Sequence, residues 1–136
     1  MNRTAWIGVI TAVVLISGCG DQTVPGRWFT AAQVDQGRTV FGDNCVQCHG
    51  DEAVGTPNWR QRDASGAFPP PPLNGTAHAW HHPYKQLQQT IENGSPRMPA
   101  FGDTLSDDQI EAVVAYFQSF WPDDIYQAWQ RADQRQ

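Results

Sequence analysis

Val34, Gly37, Val40 and Phe41 recur at the spacing that puts them near one face of a helix. The residues just before them carry a start signal. In Phe29-Thr30-Ala31-Ala32-Gln33-Val34, Thr30 caps, Gln33 completes a capping box, and Phe29 staples onto Val34. This pattern predicts a helix to about Gly42. The signal repeats at Leu105-Ser106-Asp107-Asp108-Gln109-Ile110, with two acids in the first turn to suit the helix dipole. Ile110, Val113, Val114, Phe117 and Trp121 follow it at helical spacing. Between these two lies a third pattern, Tyr84, Leu87 and Ile91, expected to form a helix from about Pro83 to Asn93 with His82 as its cap. Asn93-Gly94 supplies its stop. Pro122 breaks the last long helix, and Ile125 and Trp129 mark a further short one over Asp123 to Gln130. No segment alternates with the period of a strand. The fold class read from these patterns is all-α.

Two stretches do not fit a helical pattern. Gly50 to Pro72 is rich in Gly, Pro and polar residues and too long for a simple connector, so it is expected to be a packed loop organised by something else. The run from Ala5 to Ser17 is continuously apolar but shorter than the ~20 residues needed to span a bilayer. With Arg3 ahead of it, it reads as the core of a signal peptide. It ends in Ile16-Ser17-Gly18-Cys19, similar to a bacterial lipobox, which implies lipidation at Cys19. The expected organisation is a signal peptide over 1–18, a lipidated polar tether over 19–27, and a domain over 28–136 with a helical extension from about 122. Length bounds the chain to one domain.

Chemistry concentrates in Cys45-Val46-Gln47-Cys48-His49. Cys-x-x-Cys-His is the attachment signature of c-type haem. Two thiols at this spacing can each add across one porphyrin vinyl group, and the next imidazole can then reach the iron. A thioredoxin-like pair would need a βαβ context, and a zinc knuckle would need further ligands downstream. No cysteine follows Cys48. All three cysteines thus have a covalent role, and none remains for a disulfide. Export agrees with this, because c-type haem is attached outside the bacterial cytoplasmic membrane.

Charge narrows the partners. Removing Arg3 with the leader leaves eight of the nine Lys and Arg against fourteen Asp and Glu, a net of about −6. Nucleic acid and anionic lipid are poor partners for such a chain, whereas a docking partner with a basic face suits it.

An iron held by His49 has a second axial site. Met98 is the only methionine left once Met1 is removed, and Pro96 and Pro99 stiffen its loop. A thioether there would raise the reduction potential. The alternative is a loop methionine packed into the core.

With these features the chain resembles the class I cytochromes c over roughly Phe29 to Trp121. The resemblance implies three to five helices wrapped around one covalent haem c, with the N- and C-terminal helices crossing. It implies that Gly37 and Phe41 meet Val113 and Tyr116 at that crossing. It also implies that Pro71, in Pro71-Pro72-Leu73-Asn74-Gly75, offers its carbonyl to His49, and that Trp80 donates to a haem propionate. Trp59, Arg60 and Arg97 are further propionate candidates. The expected ligand set is therefore Cys45, Cys48, His49, Met98, Pro71 and Trp80, with His49 and Met98 on the metal. The implied function is one-electron transfer by a monomeric, lipid-anchored periplasmic protein that is not an enzyme. Its partner would be a respiratory complex, oxidase or reductase.

Two other functions compete. A labile Met98 would make an enzyme subunit or gas sensor. His78, His81 and His82 could instead bind copper, although adjacent His81 and His82 diverge in most backbones and Pro83 disfavours helix at His82.

Overall fold

The computed structural model describes residues 22–134. The expected signal peptide and Cys19 lie outside the described residues. Among the described residues five α-helices follow in chain order: α1 over Ala31–Asn44, α2 over Val46–His49, α3 over Tyr84–Asn93, α4 over Asp107–Ser119 and α5 over Asp123–Asp133. Single 3₁₀ turns occupy Asp51–Ala53 and Ala79–His81. Among the described residues only isolated β-bridges occur, Thr23 with Thr30 and Ser95 with Met98. The fold is all-α.

Both capping boxes form. The Thr30 hydroxyl accepts from the Gln33 amide at 3.1 Å, and the Gln33 side chain returns to the Thr30 amide at 2.9 Å. Ser106 and Gln109 do the same at 3.3 and 2.9 Å. Such local reciprocity satisfies two orphan N–H groups at each helix start. The start of α3 differs from expectation. Its cap is Pro83 rather than His82, which stays extended at ψ 135° as a residue before proline must. Gly94, at φ 73°, ends α3. The extension α5 runs to Asp133, three residues beyond its expected end.

α1 and α4 pack directly on each other. A Cβ at Gly37 would collide with the Ala112 carbonyl oxygen and stand 2.8 Å from Tyr116 Cβ. The glycine therefore meets the expected Tyr116, with the Ala112 carbonyl nearer still. Glycine costs a helix interior about 1 kcal/mol, and here it permits backbone contact that no side chain allows. One turn on, Phe41 packs on Tyr116 with ring centroids 5.1 Å apart and planes tilted by 53°. Phe41, Val113 and Val114 are all buried, as is Phe29 at the entry to α1.

α5 is bound to the N-terminal segment and to the start of α3. The Trp28 amide donates to the Tyr126 hydroxyl at 2.9 Å, and Arg27 donates to the Trp121 carbonyl at 3.0 Å and to Asp123 at 2.7 Å. The Arg27 guanidinium also lies over the Tyr126 ring at 4.1 Å. The Tyr84 amide donates to Asp133 at 2.7 Å, and Trp129 Nε1 to the His82 carbonyl at 3.0 Å. The packed body begins before Trp28, because the Val24 amide donates to the Phe29 carbonyl at 2.8 Å and folds the chain back before α1.

Truncating Phe41 to Ala removes the aromatic partner of Tyr116 from a fully packed crossing. Chemical denaturation of haem-loaded protein is expected to show a loss of about 3–5 kcal/mol.

Candidate functional site

The end of α1 carries the first half of the site. The Cys45 amide donates to the Phe41 carbonyl at 2.8 Å, so Cys45 closes α1. The His49 amide returns to the Cys45 carbonyl at 2.9 Å, forming the single turn α2. That turn brings Cys45, Cys48 and His49 onto one wall. The two form no disulfide with each other; Cys45 is buried and Cys48 exposed. Burial, with Cys48 nearby, pushes the Cys45 thiol up to about 11. Gly50, at φ 70°, then turns the chain away.

The loop after α2 positions the imidazole. The Gly55 amide donates to the His49 carbonyl at 2.6 Å, the Leu73 amide to Ala53 at 2.8 Å and the Thr56 amide to Pro70 at 3.0 Å. These bonds fold the four-proline run back over His49. His49 Nδ1 lies 3.1 Å from the Pro71 carbonyl, the geometry of an N–H donor to that oxygen. The contact fixes the ring and leaves Nε2 free. Burial lowers the His49 pKa, partly offset by the Pro71 bond, so the neutral ring is favoured. Gly55 makes the approach possible, because a Cβ there would stand 2.6 Å from the Pro71 carbonyl carbon, at a φ of 74°. Glu52 and Ala53 also have positive φ, 52° and 57°, so the loop holds strained backbone beside the site.

Met98 lies in a tight turn. The Ser95 amide donates to the Met98 carbonyl at 2.9 Å, and the Met98 amide to Ser95 at 3.1 Å. The base of the loop is pinned to α3 through Phe101 to Ile91 and Gly102 to Glu92, both at 3.0 Å.

Cys45, Cys48, His49 and Met98 line one cavity of about 700 Å³. That volume falls within the range of cofactor sites. Leu87 and Ile91 of α3 and Val113 and Phe117 of α4 supply apolar wall. Their helical spacing marked them as core, and sequence alone does not separate core from the wall of a cavity. Two thiols, a neutral imidazole with a free Nε2 and a thioether on an apolar cavity are a donor set that fits a covalently held haem.

The other candidates divide. Trp59, Arg60 and Arg97 line the cavity, and Trp80 does not; it stacks on His81 with centroids 3.8 Å apart. His78 and His82 both line the cavity, their rings 5.6 Å apart, because the 3₁₀ turn at Ala79–His81 brings them together without a helix. Burial, then His82 and His81, lower the His78 pKa. Among the described residues no group of three or more His, Cys, Asp or Glu side chains is placed to hold a metal ion.

Comparison with known proteins agrees with this geometry. The family model described as subunit III of cbb3-type cytochrome c oxidase matches residues 32–117, and the chain belongs to that family of cytochrome c domains. It therefore carries haem c, bound covalently. Similar proteins include the cbb3-type oxidase subunit FixP of Sinorhizobium medicae, 31% identical over 96 residues, 63% of this chain and 29% of that one. The CcoP subunit of an Azospirillum species is 34% identical over 92 residues, 67% of this chain and 30% of that one. Cytochrome c6 of a Synechococcus species is 34% identical over 88 residues, 63% of this chain and 69% of that one. The matches to the oxidase subunits cover less than a third of their length. No solved structure matches.

Gly55→Ala is expected to destabilise the protein by more than 1 kcal/mol, because the added Cβ meets the Pro71–Pro72 backbone at a φ that suits glycine. A thermal melt of the haem-loaded variant measures it.

Proposed function

We propose that this domain is a one-electron carrier with one haem c, working on the extracytoplasmic side of a bacterial membrane. Cys45 and Cys48 would hold the haem through thioethers, and His49 Nε2 and the Met98 sulfur would ligate its iron. The observation that carries this reading is the convergence of those four side chains on one cavity. The haem supplies the one-electron couple. The protein's residues fix the ligands and keep water out. Pro71, accepting from His49 Nδ1, holds the ring in one tautomer and raises its basicity toward a metal. The walls from α3 and α4 present apolar side chains, which strengthen electrostatic interactions inside by excluding solvent. A haem iron held by both His49 and Met98 would offer no site to a substrate, so the role is transfer rather than bond chemistry.

Several relatives are named as subunits of cbb3-type oxidases. A respiratory oxidase or reductase is accordingly the partner we infer. Among the described residues no helix is long and apolar enough to cross a membrane. We assign attachment to a lipid on Cys19, after cleavage of residues 1–18. Such a tether would keep the domain near membrane-bound partners and raise their effective concentration.

Met98→Ala tests the core of the reading. The variant should bind carbon monoxide when reduced and cyanide when oxidised, and its potential should fall, because the soft sulfur favours ferrous iron. A wild type that binds carbon monoxide as readily would favour the gas-sensor or enzyme reading. Unchanged spectra and potential in the variant would put another ligand on the iron. The anchor has its own check: the wild type should partition into the detergent phase and begin at an acylated Cys19, and Cys19→Ser should not be processed by the lipoprotein route, so that its N-terminal peptide still carries residues 1–18.

A further inference from the structure

Arg97, beside Met98, is the only residue of the 95–101 turn with a side-chain hydrogen bond to the loop that follows α2. Its Nη1 donates to Asp63 Oδ2 and lies 3.4 Å from the Ser65 hydroxyl. Asp63 is well placed to hold it. Its other oxygen, Oδ1, accepts from the Ser65 amide at 2.9 Å, the Ser65 hydroxyl at 2.5 Å and the Ala67 amide at 3.3 Å. The Asp63 amide closes the same turn by donating to the Ala67 carbonyl at 2.9 Å. One oxygen thus organises the 63–67 turn, and the other is left for Arg97. Ser65, then Arg97, hold the Asp63 carboxyl well below the usual carboxylate range, so it stays charged across the working pH.

The two loops have different supports. The loop after α2 is tied to His49 through Gly55 and Pro71. The turn bearing Met98 is pinned to α3 at its base, through Phe101 and Gly102. Arg97 is exposed yet lines the cavity, so it stands at the rim.

We propose that the Arg97–Asp63 ion pair is a latch that holds the Met98 turn against the loop anchored to His49, so that Asp63 and Arg97 are positioning residues for the methionine ligand. The proposal rests on Met98 ligating iron. When the latch opens, the turn swings on its α3 base, the thioether leaves more often, and small ligands reach the metal. A half-exposed ion pair makes a modest difference, and ligand competition at the iron is sensitive enough to read it.

The test is Asp63→Asn in the full-length, haem-loaded protein. Asn keeps an oxygen for the Ser65 and Ala67 amides and puts an NH₂ group where Arg97 needs an acceptor. The oxidised variant should bind imidazole about two- to fivefold more tightly than wild type. Arg97→Gln should do the same, and the double variant Asp63→Asn/Arg97→Gln should add nothing further. High salt, about 1 M, should move the wild type toward the variants and leave the variants unmoved. The potential of Asp63→Asn should fall, whereas simple loss of an anion near the haem would raise it.

Imidazole affinity unchanged in Asp63→Asn overturns the latch and leaves Arg97 as a group that serves the haem alone. Additive effects of the two substitutions overturn it as well. The far-red methionine–iron band of the oxidised wild type separates the two readings. With the band present and affinities unchanged, the latch fails and the His/Met assignment stands. Without the band, the assignment fails and the latch falls with it.

Discussion

The backbone contact between α1 and α4 at Gly37 constrains everything around it. Ala112 and Tyr116 occupy the space a side chain would need, so the two helices lie at one distance and one register. That register has consequences in both directions along the helices. At the end of α1, Cys45 closes the helix and starts the turn that carries Cys48 and His49. On α4, Val113 and Phe117 then face the cavity that those residues line. A crossing about two helical turns before Cys45 thus decides which apolar surface stands opposite the reactive groups. Packing at interior density tolerates few alternatives.

The rest of the site depends on irregular backbone, and different chemistry holds it. Between Gly50 and Leu73 few residues are helical, and a small number of main-chain hydrogen bonds keep the loop in place. Glycine at Gly55 allows the proline run close enough for the Pro71 carbonyl to reach His49. Proline has no amide to donate but keeps its carbonyl, and its fixed φ limits how far that carbonyl can wander. The run therefore offers stiff acceptors without adding donors that would themselves need partners.

How much of this was legible in the sequence follows from the range of each interaction. The two capping boxes and the stop at Gly94 are signals within a few residues, and they emerge as expected. For Gly37 the resemblance supplied the partner helix and Tyr116, and the nearer Ala112 carbonyl emerges only from the packing. α2 was not predicted as a helix, because four residues are too few for a periodic pattern. The contrast between Trp59 and Trp80 was also illegible. Both are indoles in polar stretches, and only the path of the chain decides that Trp59 lines the cavity while Trp80 stacks on His81. The pairing of Asp63 with Arg97 spans 34 positions and leaves no trace in composition. The His78–His82 proximity depended on a 3₁₀ turn, which puts residues three and four apart on neighbouring faces much as an α-helix does.

The junction between the N-terminal segment and α5 has a mechanical meaning. Arg27 and Trp28 are bonded to Trp121, Asp123 and Tyr126, across more than ninety positions of chain. Force arriving along the residues before Val24 is passed at Arg27 into α5 and the aromatic body beneath it. Part of it also reaches the Thr30 cap through the Thr23–Thr30 bridge, and α5 shares a load that α1 would otherwise carry alone. The extension thus works as strain relief at a cable's entry, sparing the helix that leads to Cys45 part of the pull.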